Sequence, residues 1–213
     1  MKVAILSESS ADEAALRVIV DVLLGIQTED VSGPSIRDRG WPSVRVVLPT
    51  VIRALHYNTD ADGLVVVVDS DDSPIHAIDG VSHIGRAADP CRVCELQRIV
   101  EATIATMKPR QHEIPLRIAL GLAVPSLEAW LDCGPAHNTE AAWGRKLQEG
   151  KRLRLDRLEL KRRVYGSKTP SLSQQAERGL ESARRIVADL VQLKKAFPNG
   201  FGMLHRDLAH SGK

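Results

Sequence analysis

The run Leu64-Val-Val-Val-Val-Asp-Ser-Asp-Asp-Ser-Pro74 constrains this chain more than any other stretch. Leu64 to Val68 are apolar without interruption, the pattern of a strand buried on both faces of a parallel sheet. Such a strand needs helices above and below it, which sets an α/β class. Three carboxylates follow within four positions, Asp69, Asp71 and Asp72. Two bare charges about 4 Å apart repel by on the order of 4 kcal/mol at an effective dielectric of about 20. Clustering them at a strand end calls for a cation. Taken alone, the run also reads as a turn that caps a helix.

The rest of the chain alternates strands and helices. Val3–Leu6 predicts a first strand. A helix follows over 11–24, with Ser10 as N-cap and Gly25 as its stop. Residues 26–43 read as an excursion, Val44–Leu48 as a second strand, and 50–57 as a short helix. Residues 70–90 read as a long irregular loop, and 91–107 as a helix. Leu116–Val124 predicts a further strand, and Pro125 opens the helix to Leu131 as a first-turn proline. From 138 onward two long helices are predicted, over 140–164 and 172–197. The expected architecture is a parallel sheet of about four strands flanked by helices over 1–137. A helical, basic extension over 138–213 packs on it.

Ligands in parallel α/β sheets gather at the carboxyl ends of the strands. There the first strand delivers Glu8, the third Asp69, Asp71 and Asp72, and the last leads to Glu128. Hard divalent cations such as Mg²⁺ take oxygen donors of this kind, together with water and substrate phosphate. In an extended segment Asp69 and Asp71 project to one side. Asp72 then points elsewhere, as a supporting group or the ligand of a second ion.

Glu after the first strand, then helix, strand, helix, and a hydrophobic strand ending in Asp-x-Asp: this order resembles the Toprim domain of topoisomerases, primases and OLD-type nucleases. More narrowly, ILSESSADEAAL, LVVVVDSDDSP and GLAVPSLEAWL together resemble small bacterial Toprim-like proteins, many encoded near ATPases. The resemblance covers about 1–132 and implies Mg²⁺ or Mn²⁺ held by Asp69 and Asp71, with Glu8 as ligand or general acid/base. It also implies Glu128 as an added ligand, within Pro-Ser-Leu-Glu-Ala-Trp. Ser9 stands where the family usually has glycine, which narrows the approach of a phosphate to the backbone. Asp12 matches an acid common at the helix start, where helix-dipole complementarity is its plainer role. The implied function is Mg-dependent phosphoryl transfer, a nuclease acting on nucleic acid, in phage or plasmid defence with a partner ATPase. The alternative is a non-catalytic Toprim-like subunit that regulates a partner or binds a nucleotide. A second enzyme reading is a HAD-like phosphatase or a DxD glycosyltransferase; the phosphatase is disfavoured, because it carries Asp-x-Asp on its first strand and here the motif follows the third.

Charge is unevenly distributed. Residues 1–90 hold seven Lys/Arg against fourteen Asp/Glu, whereas 145–168 hold ten against three. The basic stretch predicts sequence-independent contacts to nucleic-acid phosphates through Arg152, Arg154, Lys161 and Arg162; a solvated helix face is the plain alternative. Aromatics make up only 3% of the 213 residues, which disfavours base stacking as a binding mode.

Cys91-Arg-Val-Cys94, with Cys133 and His137, has the ligand types of a Cys₃His zinc site. The 38 residues between Cys94 and Cys133 exceed common zinc-finger spacing, so two partly buried thiols opening a helix is the plainer reading. His76 and His83, in the loop after the aspartates, either face a substrate or are ordinary loop residues. Three cysteines do not make a disulfide framework. The opening residues lack a signal-peptide core, and no stretch nears the roughly 20 apolar residues of a membrane span. A cytoplasmic protein without membrane contact is expected.

Overall fold

A computed structural model describes residues 1–31, 40–77, 82–85, 90–110 and 115–210. Its centre is a parallel sheet in the order β2-β1-β3-β6, formed by β1 (Lys2–Leu6), β2 (Glu29–Asp30), β3 (Gly63–Asp69) and β6 (Arg117–Ala123). Val3–Leu6 run beside Gly63–Val66, and Gly63–Asp69 run beside Arg117–Ala123. Leu64–Val68 are all buried, as the apolar run predicts.

The helices α1 (Ser10–Leu24), α2 (Trp41–Asn58) and α3 (Arg92–Ala105) connect these strands. Right-handed crossovers place α1 on one face and α2 with α3 on the other, because the path from β1 to β2 and the path from β2 to β3 run in opposite directions across the sheet. Ser9, one residue earlier than expected, caps α1 by accepting the Asp12 N–H at 3.2 Å. Gly25 ends α1 in the left-handed region at φ 67°.

The segment 44–57 departs from expectation. The strand predicted over Val44–Leu48 is the first half of α2, which runs unbroken through Pro49. Val44, Val46 and Val47 give a strand-like local composition. The buried residues Val44, Leu48, Val51, Ile52 and Leu55 nonetheless repeat at helical spacing, and Val46 is exposed. The second strand is instead Glu29–Asp30, a two-residue edge. Likewise, 70–90 is not wholly irregular: β4 (Ile75–His76) and β5 (His83–Ile84) pair antiparallel as a hairpin.

The C-terminal segment is broken more often than expected, into α5 (Glu140–Gln148), α6 (Arg154–Tyr165), α7 (Leu172–Ile186), a 3₁₀ turn at Val187–Asp189, α8 (Leu190–Ala196) and α9 (Gly200–His210). Gly150 at φ 75° separates α5 from α6. Helix α7 lies along α1, and α9 covers β6. Trp130, in α4 (Leu127–Leu131), meets Phe201 of α9 edge to face, with centroids 5.3 Å apart. Such a pair adds about 0.5–1.5 kcal/mol beyond burial. Buried residues from both segments form one continuous core. Pro125 precedes α4 rather than sitting in its first turn, since Ser126 is the N-cap. No helix among the described residues is long and apolar enough to cross a membrane.

Candidate functional site

The carboxyl edge of the sheet carries Glu8, just past β1, and Asp69, the last residue of β3. Glu8 Oε1 accepts the backbone N–H of Asp69 at 3.0 Å, so the two strand ends are tied together. Asp69 in turn accepts the Leu127 N–H through Oδ1 at 2.9 Å, which ties β3 to the start of α4. The backbone then leaves the extended form. Ser73 N–H bonds the Ser70 carbonyl at 2.8 Å, and Asp71 takes φ 51°. Aspartate tolerates that left-handed conformation better than most residues. The turn, rather than strand alternation, brings Asp69 and Asp71 to one side.

Two arginines that the sequence reading did not single out complete the site. Arg92 donates to the Asp69 carbonyl at 2.5 Å and to Asp71 Oδ2 at 2.6 Å, and its Nη1 lies 3.4 Å from Glu8 Oε1. Its guanidinium also lies 5.2 Å from the centre of the Trp41 ring. Arg157 pairs with Asp71 Oδ1, and its Nη2 is 3.6 Å from Asp69 Oδ2. One turn further along α6, Lys161 faces Glu128 at 3.8 Å. Tyr165, one turn beyond that, makes a side-chain hydrogen bond to Glu128. Arg157, Lys161 and Tyr165 thus form one face of α6, turned toward the acidic edge. The i, i+4 spacing of Arg157 and Lys161 was the available signal for this. Arg92 offered none, because its role depends on where α3 docks.

Burial and the neighbouring carboxylates Glu8, Glu128 and Asp12 hold the Asp69 carboxyl well above the usual range. Burial, then Glu128 and Glu8, pushes Asp12 up to about 7. Burial raises Glu8 as well, against the pull of Arg92. Four acids from β1, α1, β3 and α4 therefore press on one another. The buried hydroxyls of Ser70 and Ser126, next to Asp69 and α4, find no hydrogen-bond partner among the described residues. Burial and mutual repulsion thus disfavour the charged forms of these acids.

The remaining predicted residues separate. Asp72 turns away from the other acids: it accepts the Leu153 N–H at 2.8 Å and pairs with Arg152 at 3.3 Å, docking the start of α6. Arg162 is exposed but paired with Glu159, and Arg154 is exposed. Of the four basic residues predicted to hold nucleic acid, Lys161 faces inward, and Arg154 and Arg162 face solvent.

A second cluster lies beside the first. His76 and His83 are cross-strand neighbours in the β4–β5 hairpin, while Cys91 caps α3 and Cys94 lies in its first turn. One ligand atom from each of the four lies within 4.8 Å of every other, a group that could hold a metal ion. This corrects the set built on Cys133 and His137. Cys133 lies beyond α4, where burial and then Asp189 and Asp132 raise its thiol pKa. His137 lies 3.4 Å from Arg163 of α6. The hairpin supplies the partners instead, and its two-residue strands are too short to stand out by periodicity.

No protein-family model, curated protein or solved structure matches the chain.

Proposed function

We propose that the chain is a divalent-cation-dependent phosphoryl-transfer enzyme of the Toprim type, a nuclease acting on nucleic acid. The observation that supports this most directly is the meeting of Glu8, Asp69 and Asp71 on the Arg92 and Arg157 guanidiniums at the carboxyl edge of a parallel sheet. Mg²⁺ or Mn²⁺ held by these three carboxylates, with Glu128 close by, would polarise a scissile phosphate and acidify an attacking water. The protein's part is positioning. Leu127 N–H and Asp69 N–H fix two carboxylates in orientation. Arg92 and Arg157 balance the acids in the metal-free chain, and their planar forks suit phosphate oxygens once a cation takes over that charge. Glu8, whose carboxylate accepts the Asp69 N–H, would accept a proton from the attacking nucleophile. Ser9 supports the turn from β1 into α1 by capping the helix, so the residue standing in place of the family glycine has a local structural role.

Cleavage of plasmid DNA and of single-stranded RNA by purified protein, with Mg²⁺ or Mn²⁺ and with chelator, tests the reading. Glu8→Gln should lower the rate roughly 10²–10⁴-fold while keeping nucleic-acid binding. Cleavage that survives chelation, or is equal in Asp71→Asn, would overturn it. A non-catalytic scaffold is the second reading, favoured by the ion pairs that Arg92 and Arg157 already make. On that reading neither metal yields cleavage, and Asp71→Asn changes partner or nucleotide binding instead.

A further inference from the structure

We propose that His76, His83, Cys91 and Cys94 form a structural zinc site that locks the β4–β5 hairpin onto the first turn of α3 and thereby sets the position of Arg92. The four ligand atoms all lie within 4.8 Å of one another, a span that one four-coordinate ion can bridge. Zinc–sulfur bonds of about 2.3 Å and zinc–nitrogen bonds of about 2.0–2.1 Å imply sulfur–nitrogen edges of about 3.6 Å. His83 Nε2 lies 3.2 Å from Cys94 Sγ, His76 Nδ1 lies 3.4 Å from Cys94 Sγ, and His76 Nδ1 lies 3.8 Å from Cys91 Sγ. The two imidazole rings sit with centroids 5.2 Å apart and planes 73° apart, so their nitrogens converge without stacking.

Two nitrogens and two sulfurs in a closed set select zinc over Mg²⁺, which takes oxygen. The site is also made by local structure. Hairpin pairing puts His76 opposite His83, and the i, i+3 spacing of a helix start puts Cys91 and Cys94 on one face.

The consequence lies in Arg92, one of the two residues between the thiols. Arg92 leaves the helix one position after Cys91 and reaches Glu8, the Asp69 carbonyl and Asp71. A metal joining Cys91 and Cys94 to the hairpin fixes the backbone from which that guanidinium projects. The zinc site itself stands apart from the phosphoryl-transfer reading; only the effect on Mn²⁺ binding rests on it.

The test uses the full chain with Cys133→Ser, which leaves only the two thiols of the site. Zinc by elemental analysis should be one equivalent per chain, and a thiol reagent should find both cysteines protected until a strong chelator releases the metal. Co²⁺ in place of zinc should give the visible absorption of a tetrahedral thiolate site. Cys94→Ser should lose the zinc, whereas Arg92→Ala should retain it. If Cys94→Ser fails to fold, chelator titration of the parent chain carries the same readout through thiol exposure and lowered melting temperature. Fewer than half an equivalent after reconstitution, or thiols reactive before chelation, would overturn the site. Mn²⁺ affinity at the acidic edge should rise in Arg92→Ala, which removes a competing cation, and should rise likewise on zinc removal, which loosens the hold of Arg92 on the same carboxylates. Zinc bound at one equivalent with Mn²⁺ affinity unchanged by its removal would overturn the link to Arg92, and no Mn²⁺ binding in the zinc-loaded chain would overturn the acidic-edge reading.

Discussion

Asp69 does two things with one carboxylate. Oδ1 accepts the Leu127 N–H that begins α4, while the group as a whole is crowded by Glu8, Glu128 and Asp12. The two effects separate by substitution. Asp69→Ala relieves repulsion but leaves a buried N–H unpaired, at about 1–3 kcal/mol. Asp69→Asn keeps an acceptor for Leu127 and removes the charge. In chelator the melting temperature of Asp69→Asn should equal or exceed that of the parent, with divalent-cation binding lost; calorimetry on both proteins reads the two quantities. A large loss of stability in Asp69→Asn would show that the charge itself is structural. Glu8, Asp69 and Asp71 were legible in the sequence because strand ends and apolar runs mark their places. Arg92 and Arg157 were not, and His76 and His83 read only as substrate-facing or ordinary loop residues rather than as partners of Cys91 and Cys94, since a side chain's target across the fold leaves no local trace.

At the scale of elements, the least legible pieces are those whose local composition opposes their tertiary role. The valines of 44–47 favour a strand, yet α2 forms because Val44, Leu48, Val51, Ile52 and Leu55 share a buried face. Glu29–Asp30 takes the edge beside β1 and completes the four-stranded sheet. Helix α9 is a different case, since its contact with β6 depends on one missing methyl. A Cβ on Gly200 would overlap the Leu122 carbonyl oxygen, so the helix start lies directly against the strand backbone. Asp207 of the same helix accepts the Leu120 N–H at 3.1 Å, a second tie to β6. Gly200→Ala must push α9 outward, at about 3 kcal/mol or somewhat more. For a chain of this size the melting temperature should fall by about 6–12 °C. Thermal denaturation by circular dichroism checks this, with Gly134→Ala, whose Cβ meets nothing nearby but whose φ is 144°, as a control for backbone strain alone.

Over the whole molecule, the acidic front half and the basic segment behind it meet inside the protein, where Arg157 and Lys161 face Asp69, Asp71 and Glu128. The imbalance in charge was plain in the sequence; that part of it would be satisfied internally was not, because helix rotation decides which basic residues face in. Several acids nevertheless remain under strain, and this sets a pH dependence opposite to that of most carboxylates. Asp12 is raised from 3.8 to about 7 and Glu140 from 4.5 to about 7, chiefly by burial in both cases. Glu140 stays high even though it accepts the Asn199 and Gly200 N–H groups at 2.7 and 2.8 Å. A raised carboxyl pKa means that the folded chain binds more protons than the unfolded one between the two values, so stability falls as pH rises through that window. The Glu140 contribution alone amounts to about 3 kcal/mol between pH ~4.5 and ~7. In chelator, the melting temperature should therefore decline from about pH 5 to about pH 8. Adding Mg²⁺ should flatten the part due to the acidic edge, since a bound cation favours the ionised carboxylates there. It should leave the Glu140 part untouched, because burial and the Asn199 and Gly200 donors set that residue's proton affinity, with no acid of the edge among the causes. Glu140→Gln should remove that remainder, at some cost in absolute stability from one mismatched donor. Melting curves at four pH values, with and without Mg²⁺, for the parent and Glu140→Gln resolve both parts. A melting temperature that rises steadily from pH 5 to 8 in chelator would show that the acids at the sheet edge are ionised and balanced by Arg92, Arg157 and Lys161 alone.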